Sequence, residues 1–116
     1  MHVVLRADAP PYRAPGHDGI RMHRLQGKEA GPSDTVWVGL SEIEPGGGTS
    51  MTAATVEKFY VVLDGELEVR TSGPQGAGVA HLKRLDSCRI APEEGRQLVN
   101  VSGAPCTVVL IMPNNP

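Results

Sequence analysis

Apolar and polar residues alternate most regularly in residues 36–44 of this chain. In an extended segment the two faces would be formed by Val36, Val38 and Leu40, and by Trp37, Gly39 and Ser41. A period of two with β-branched residues is typical of a β-strand, because successive side chains of a strand point to opposite faces. Residues 36–44 are therefore predicted to form a strand.

Residues 45–65 carry the strongest local signal. A glycine turn at 45–48 is followed by small and hydroxyl residues, by the apolar run 59–63 and by Asp64-Gly65. Asp-Gly between two apolar or alternating segments is typical of a tight hairpin, because both residues tolerate the backbone angles of the turn. Segments 57–63 and 66–70 are therefore predicted to pair with each other as a β-hairpin.

Glycines and prolines divide the rest of the chain into further short segments. We expect strands at residues 2–6, 20–25, 79–85, 87–91, 96–101 and 107–112, a weaker one at 49–55, a proline-rich arm at 8–19, and loops at 27–34 and 71–78. Proline and glycine interrupt the hydrogen-bond ladder of a sheet and so mark strand ends. Nine or ten short strands without a helical period predict an all-β sandwich or barrel.

The composition limits the size of the protein and its partners. A chain of 116 residues can hold one hydrophobic core but is too short for two domains. The net charge is −2 and the basic residues are scattered, so we expect neither nucleic acid nor a membrane surface as a partner. No apolar run has the length of a signal peptide or a bilayer span, which predicts a soluble cytoplasmic protein. Cys88 and Cys106 are then expected to be buried and reduced, with a disulfide between neighbouring strands as the alternative.

Two short motifs in residues 36–112 resemble those of the cupin superfamily. The first family motif is a glycine-led turn, His-x-His, a Glu and a Gly after an apolar strand; here the turn is at 45–47 and the closing glycine is Gly65. The second is Gly-Asp, Pro-x-Gly, a His and an Asn. Its positions are occupied here by Leu85, Asp86, Pro92, Gly95, Arg96 and Asn100.

The resemblance implies an all-β fold, a double-stranded β-helix or jelly-roll barrel of the cupin, RmlC-like kind. It places a small single-domain barrel of the cupin-2 type at residues 36–116. Residues 1–35 then form an N-terminal strand and a Pro/Gly-rich arm that packs on the barrel or on a dimer partner. Because small cupins pair through sheet edges, the resemblance also implies a homodimer, in which this arm would cover an edge.

The metal ligands of the family motifs are missing from this chain. The family binds one divalent metal through two histidines, a glutamate and the second-motif histidine. If Glu57 is the motif glutamate, Met51 and Ala53 stand at the histidine positions; if the register follows Gly65, Lys58 replaces the glutamate and Thr52 and Ala54 replace the histidines. We therefore expect degenerate motifs with no metal and no other cofactor. The alternative is a site rebuilt from His17, His23 or His81.

Arg96, in place of the second-motif histidine, is the most informative replacement. If it points into the barrel, its permanent charge requires an anion. That anion is either Glu57, in a salt bridge that fills the former metal site, or a bound organic acid held with the help of Lys58 or Gln97. A shift in register would instead leave Arg96 facing solvent. Tyr60 would either donate a hydrogen bond into the cavity or be a core residue with a satisfied hydroxyl.

These residues favour a metal-free cupin that binds a small, anionic metabolite in its barrel. The first alternative is an enzyme of the isomerase, epimerase or lyase type that uses Glu57, Tyr60 or His81 for proton transfer. A metal-dependent dioxygenase or decarboxylase fits the residues least well. A sensory or accessory subunit is a further possibility. Trp37 could pack at a barrel end, at a dimer contact or against a ligand. The residues identify neither a ligand nor a reaction.

Overall fold

The structure, a computed structural model, describes residues 1–74 and 76–114. Within these ranges it contains ten strands and two three-residue 3₁₀ turns, Arg6–Asp8 and Lys28–Ala30. The strands are β1 (Pro11–Tyr12), β2 (His17–Gln26), β3 (Val36–Thr49), β4 (Thr52–Ala53), β5 (Lys58–Asp64), β6 (Leu67–Ser72), β7 (Gly78–Leu82), β8 (Ser87–Ile90), β9 (Gly95–Val99) and β10 (Cys106–Pro113). No helix in the described ranges has the length and apolar character needed to cross a membrane.

The strands form one antiparallel sheet that folds into a nearly closed barrel. Its strand order is β7-β6-β9-β3-β10-β5-β8, with β2 also on β3, β1 on β2 and β4 on β9. β10 pairs with the first part of β3, β2 pairs with both its first part and its end, and Gly48 near the end also pairs with Val99 of β9. β3 therefore joins the two layers of the barrel, and the predicted all-β jelly-roll fold is confirmed.

The long course of β3 depends on glycine. The strand continues five residues beyond the predicted end at residue 44 and crosses from one layer to the other. A Cβ atom on Gly48 would lie 2.2 Å from the carbonyl oxygen of Leu98. A larger residue at Gly48 would push the end of β3 away from β9, so the glycine run is part of the strand rather than a turn that ends it.

The predicted hairpin of segments 57–63 and 66–70 is wrong, although both segments are strands. β5 pairs with β8 and β10, and β6 pairs with β7 and β9. The Asp64-Gly65 turn therefore carries the chain from one layer to the other. Gly65 has a φ of 80°, and a Cβ atom there would lie 2.6 Å from the carbonyl oxygen of Pro105. Glycine is required at this turn, but sequence alternation could not identify the partners of the two strands.

The N-terminal segment contributes to the sheet more than the sequence indicated. The strand predicted at residues 2–6 is absent, and a 3₁₀ turn at Arg6–Asp8 takes its place. By contrast, β2 is ten residues long and pairs along most of its length with β3. Residues 1–35 thus supply β1 and β2 to the same sheet as the barrel strands.

The core lies between the two layers. It consists of Ile43, Tyr60, Val62, Leu67, Val69, Leu82, Ile90, Leu98, Cys106 and Val108. Each layer supplies residues to it, so neither layer could bury its apolar face alone. Cys106 is fully buried and Cys88 is half-buried, and both thiols are free. The prediction that both cysteines are buried holds for Cys106 only.

Candidate functional site

The inward face of β5 carries a lysine and a tyrosine. Alternation along the strand turns Lys58, Tyr60 and Val62 inward, with exposed fractions of 6%, 2% and 0%. Glu57 precedes the strand and lies on the surface. Of the two registers left open by the sequence, the structure therefore supports the one in which Lys58 takes the position of the motif glutamate.

Arg96 points into the barrel from β9 and is 6% exposed. Its Nε donates a hydrogen bond to the hydroxyl oxygen of Tyr60 at 2.8 Å. Its Nη1 donates to Thr49 Oγ1 at 3.0 Å, to Thr52 Oγ1 at 3.2 Å and to the carbonyl oxygen of Ser50 at 3.3 Å. All four acceptors are uncharged. The guanidinium is therefore held rigidly in place while its positive charge is not neutralised.

Lys58 lies in the same interior space without a counterion. In the part of the chain that the structure describes, its Nζ forms neither a salt bridge nor a side-chain hydrogen bond. Burial, and then the charge of Arg96, lower the pKa of Lys58 to about 8. Lys58 as a whole keeps 6% of its surface exposed.

Tyr60 contacts Arg96 from the inward face of β5. It belongs to the apolar core, and its hydroxyl oxygen accepts the bond from Arg96. Burial raises the pKa of Tyr60, and the nearby Arg96 charge only partly opposes this rise. The phenol is thus protonated at neutral pH, and its O–H remains available as a donor. Both interpretations of Tyr60 from the sequence, core residue and donor into the cavity, agree with this geometry.

His17, in the segment predicted to be an N-terminal arm, lies near the interior cations, because it pairs with Thr49, an acceptor of Arg96. Burial lowers the pKa of His17, a hydrogen bond to the Pro15 carbonyl opposes the shift, and the charges of Arg96 and Lys58 add to the lowering. His17 therefore lies within electrostatic reach of both interior cations. This arrangement is consistent with an arm that folds over a barrel mouth.

An aromatic pair closes the neighbouring part of the interior. The rings of Tyr12 and Trp37 meet edge to face, with centroids 5.8 Å apart. The guanidinium carbon of Arg24 lies 3.6 Å from the centre of the Tyr12 ring and 4.4 Å from that of Trp37, a cation–π arrangement. Trp37 is buried in this cluster. The structure therefore shows it packed against residues of its own chain.

The structure does not bring three of the predicted site residues to Arg96. Glu57 forms a surface ion pair with Arg89, so the expected salt bridge between Glu57 and Arg96 does not form. His81 is largely exposed, with its Nε2 2.7 Å from Glu68 Oε1. Gln97 alternates with Arg96 along β9 and lines a groove on the outer face. Strand alternation explains all three placements.

The interior residues do not fit a divalent metal. The family's ligand positions are occupied by Thr52, Ala54, Lys58 and Arg96, which together offer one hydroxyl group and two positive charges. Metal ligands must be neutral or anionic, so this set repels a cation. Residues 1–74 and 76–114 contain no group of three or more His, Cys, Asp or Glu placed to hold a metal ion. The histidines considered as substitutes, among them His17, His23 and His81, do not converge.

Sequence reasoning missed the acceptors that hold Arg96. Residues 49–55 lack an acid, a base or an activated nucleophile, and they were considered only for catalysis. Thr49 Oγ1 in fact accepts hydrogen bonds from Arg96 and from the backbone N–H of Leu98. Thr52 faces Arg96 directly across the pairing of β4 with β9. The register counted from Gly65 could have identified one of these acceptors, because it places Thr52 at a motif histidine position.

The chain is similar to known proteins over most of its length. It is 41% identical over 100 residues, covering 86% of this chain and 83% of the relative, to a Mycobacterium tuberculosis protein named beta-D-galactosidase Rv1717. The polyketide cyclase RemF from Streptomyces resistomycificus superposes with a TM-score of 0.81 at 20% identity, over 99% of this chain and 80% of that one. A sugar phosphate isomerase from a cupin superfamily, SPO2919 from Silicibacter pomeroyi, gives a TM-score of 0.70 at 25% identity, over 93% and 71%. No protein-family model matches the chain.

Proposed function

We propose that this chain, which belongs to the cupin superfamily and to the same family as the mycobacterial protein named beta-D-galactosidase Rv1717, binds a small organic anion in its barrel without the help of a metal ion. One observation carries the proposal. Lys58 and Arg96 lie in one buried space, and no described carboxylate neutralises either of them.

The energetics of buried charge favour a ligand. An arginine stays charged in a protein, and an uncompensated charge in a low-dielectric interior is costly. Neutral hydroxyls and a carbonyl orient Arg96 without removing this cost. A carboxylate or phosphate would remove it through charge-assisted hydrogen bonds, which are stronger than neutral ones.

Donors remain available for such an anion. Nε and Nη1 of Arg96 are engaged by the protein, whereas Nη2 has no partner in the described part of the chain. Lys58 Nζ likewise has no ion-pair or hydrogen-bond partner among the described residues. An anion between these two nitrogens would also lie near the hydroxyl group of Tyr60. We infer a site for one carboxylate or phosphate group attached to a small molecule.

Galactoside hydrolysis is the second candidate, because the relative that is 41% identical carries the name beta-D-galactosidase. Glycoside hydrolases generally place two carboxyl groups about 5 to 9.5 Å apart on either side of the bond that is cleaved. The inward positions described above supply cations and a phenol instead. An acidic sugar derivative would suit both this charge and a carbohydrate-directed family. The isomerase named among the similar structures acts, by its name, on a sugar phosphate.

An enzyme of the isomerase or lyase type keeps only one of its expected groups. Tyr60 faces the interior, but Glu57 and His81 lie outside it. Proton transfer inside the barrel would therefore depend on Tyr60 and Lys58. A metal-dependent dioxygenase or decarboxylase lacks suitable ligands, for the reasons given above.

A ligand-induced melting shift tests the anion site. The panel contains pyruvate, lactate, galacturonate and galactose 6-phosphate, with neutral galactose as the control. A ligand present at 100 times its Kd stabilises the folded state by about 2.7 kcal/mol. We expect at least one anion, but not galactose, to raise the Tm of wild type.

Variants of the two interior cations, with one control, test whether the melting shift depends on these cations. Arg96→Gln should lose the shift, whereas Arg84→Gln, which changes an exposed arginine, should keep it. Lys58→Gln provides a second test should Arg96→Gln fail to fold. If no anion stabilises wild type, or if the shift persists in both Arg96→Gln and Lys58→Gln, the proposal is wrong. Hydrolysis of a nitrophenyl galactoside without any anion binding would favour the second candidate.

A further inference from the structure

We propose that Lys58 forms an imine with the carbonyl carbon of a small oxo acid whose carboxylate is bound by Arg96. This inference rests on the anion site proposed above and extends it from binding to covalent chemistry. It identifies the ligand class as acids that carry a ketone or aldehyde near the carboxylate. Lys58 then acts as a nucleophile rather than only as a second positive charge.

An amine and a phenol on β5 face the guanidinium of Arg96 on β9 across the barrel interior. Lys58 and Tyr60 are two residues apart on β5, so their side chains project from the same face. The hydroxyl oxygen of Tyr60 is 2.8 Å from Nε of Arg96. A carboxylate at Arg96 would therefore place the rest of a short oxo acid towards Tyr60 and Lys58.

Lys58 differs from an ordinary buried lysine. Lysines are almost never fully buried unless they are paired with a carboxylate. Lys58 is 6% exposed, and within the described residues it has no such partner. Its amine is therefore not committed to a structural ion pair, as a nucleophile requires.

Its surroundings favour the neutral amine. The titratable or charged groups around this space are Arg96, Tyr60, His17 and Cys88, with Glu94 within electrostatic reach of Cys88, whereas the one charge that shifts the pKa of Lys58 is that of Arg96. Burial and the charge of Arg96 lower the pKa of Lys58 to about 8. At pH 7.5 the fraction of free amine is then about 200 times that of an unperturbed lysine. Desolvation and a neighbouring cation are the established means of activating a lysine nucleophile.

The step needs no further reactant. The nitrogen lone pair of Lys58 forms a C–N bond to the carbonyl carbon, while the electrons of the C=O π bond move to oxygen. A proton passes from nitrogen to oxygen and gives a carbinolamine, with the Tyr60 hydroxyl placed to donate a hydrogen bond to that oxygen. The C–O bond then breaks, the oxygen takes a further proton from solvent and leaves as water, and a protonated C=N bond remains.

Borohydride trapping tests the proposal on the full chain. Wild type is incubated with pyruvate and sodium borohydride, and peptide mass mapping locates the reduced adduct. The chain has two other lysines, Lys28 and Lys83, which are exposed and serve as internal controls. We expect labelling at Lys58 to be at least tenfold faster than at either control. Arg96→Gln should lower it at least tenfold at Lys58 alone.

Lactate separates this proposal from the anion site, because it has the carboxylate of pyruvate but no carbonyl. Suppose that Lys58 is labelled no faster than Lys28 and Lys83, while lactate and pyruvate still stabilise wild type. That result would overturn the imine and leave the anion site standing. No stabilisation by any acid and no selective adduct would overturn both. Lys58→Arg should keep the lactate shift and lose the adduct. A selective adduct that is unchanged in Arg96→Gln would contradict the assigned role of Arg96.

Discussion

Replacing Lys58 by methionine should stabilise the ligand-free protein at neutral pH. Methionine has a similar length and no charge, so it keeps the apolar contacts of the side chain and removes the buried ammonium. The folded pKa of about 8 lies more than two units below the ordinary lysine value of about 10.4. At 1.36 kcal/mol per unit, the charged form opposes folding by about 3 kcal/mol.

The sign of the pH dependence follows from proton linkage. Below pH 8 Lys58 is protonated in both states, and the full penalty applies. Between pH 8 and about 10.4 the folded protein has released a proton that the unfolded chain still holds, so stability rises with pH. The advantage of Lys58→Met should therefore be largest at pH 7, where it corresponds to roughly 10 °C in Tm, and small near pH 10.

Urea unfolding at pH 7 and pH 10 measures this difference directly. Trp37 is the only tryptophan and is buried, so its fluorescence reports the transition. Lys83→Met, at an exposed position, is the matched control and should change stability little at either pH. Comparing variants at each pH cancels the titration of Tyr60 and the cysteines. A Lys58→Met protein that is less stable at pH 7, or whose advantage is equal at both pH values, would refute the reasoning.

Three further predictions concern the fold and assembly. Leu85 is largely exposed and has a φ of 71°, which is strained for any residue except glycine. Leu85→Gly should therefore raise the free energy of unfolding by about 1 kcal/mol. The control Val101→Gly, at an exposed position outside the positive-φ region, should lower it. Asn100 is fully buried and bonds Ile43, Ala104 and Ser102, so Asn100→Ala should cost about 3 kcal/mol in urea unfolding, and a cost near zero would contradict this role. Phe59 is partly exposed on the outer face of β5. We expect light scattering to show a two-fold homodimer for wild type and a monomer for Phe59→Glu. A wild type that is monomeric at micromolar concentration would exclude the dimer.

Strand positions were predictable because they depend on local alternation. Residues 36–44, 57–63 and 66–70 all lie largely in strands. Strand partners were not predictable from the residues, because pairing depends on contacts distant in sequence. The Asp64-Gly65 turn has the composition of a hairpin and instead links the two layers. Only the family motifs indicated the jelly-roll arrangement, and Leu85, at the position of a motif glycine, has a positive φ of the kind that glycine adopts most readily.

The candidate site was predictable in part. Counting from the motifs identified Arg96 as an inward cation and offered Lys58 as one of two registers. The choice between Glu57 and Lys58 required the structure, because a shift of one residue exchanges the two faces of a strand. The neutral acceptors of Arg96 could not be foreseen, since threonine is compatible with many environments.

The charge inside the barrel suggests why these replacements belong together. In the resembling motifs a divalent cation supplies two positive charges, and the ligating glutamate removes one. Here a lysine takes the place of that glutamate and an arginine that of a histidine, so the interior holds positive charge without a metal. Restoring one carboxylate tests this compensation: Lys58→Glu should form a buried ion pair with Arg96 and abolish stabilisation by organic acids. Because the ion pair already compensates both charges, removing an organic acid from the buffer should lower the stability of the variant less than that of wild type. Retained acid binding in a folded Lys58→Glu protein would show that the anion does not depend on the two uncompensated cations.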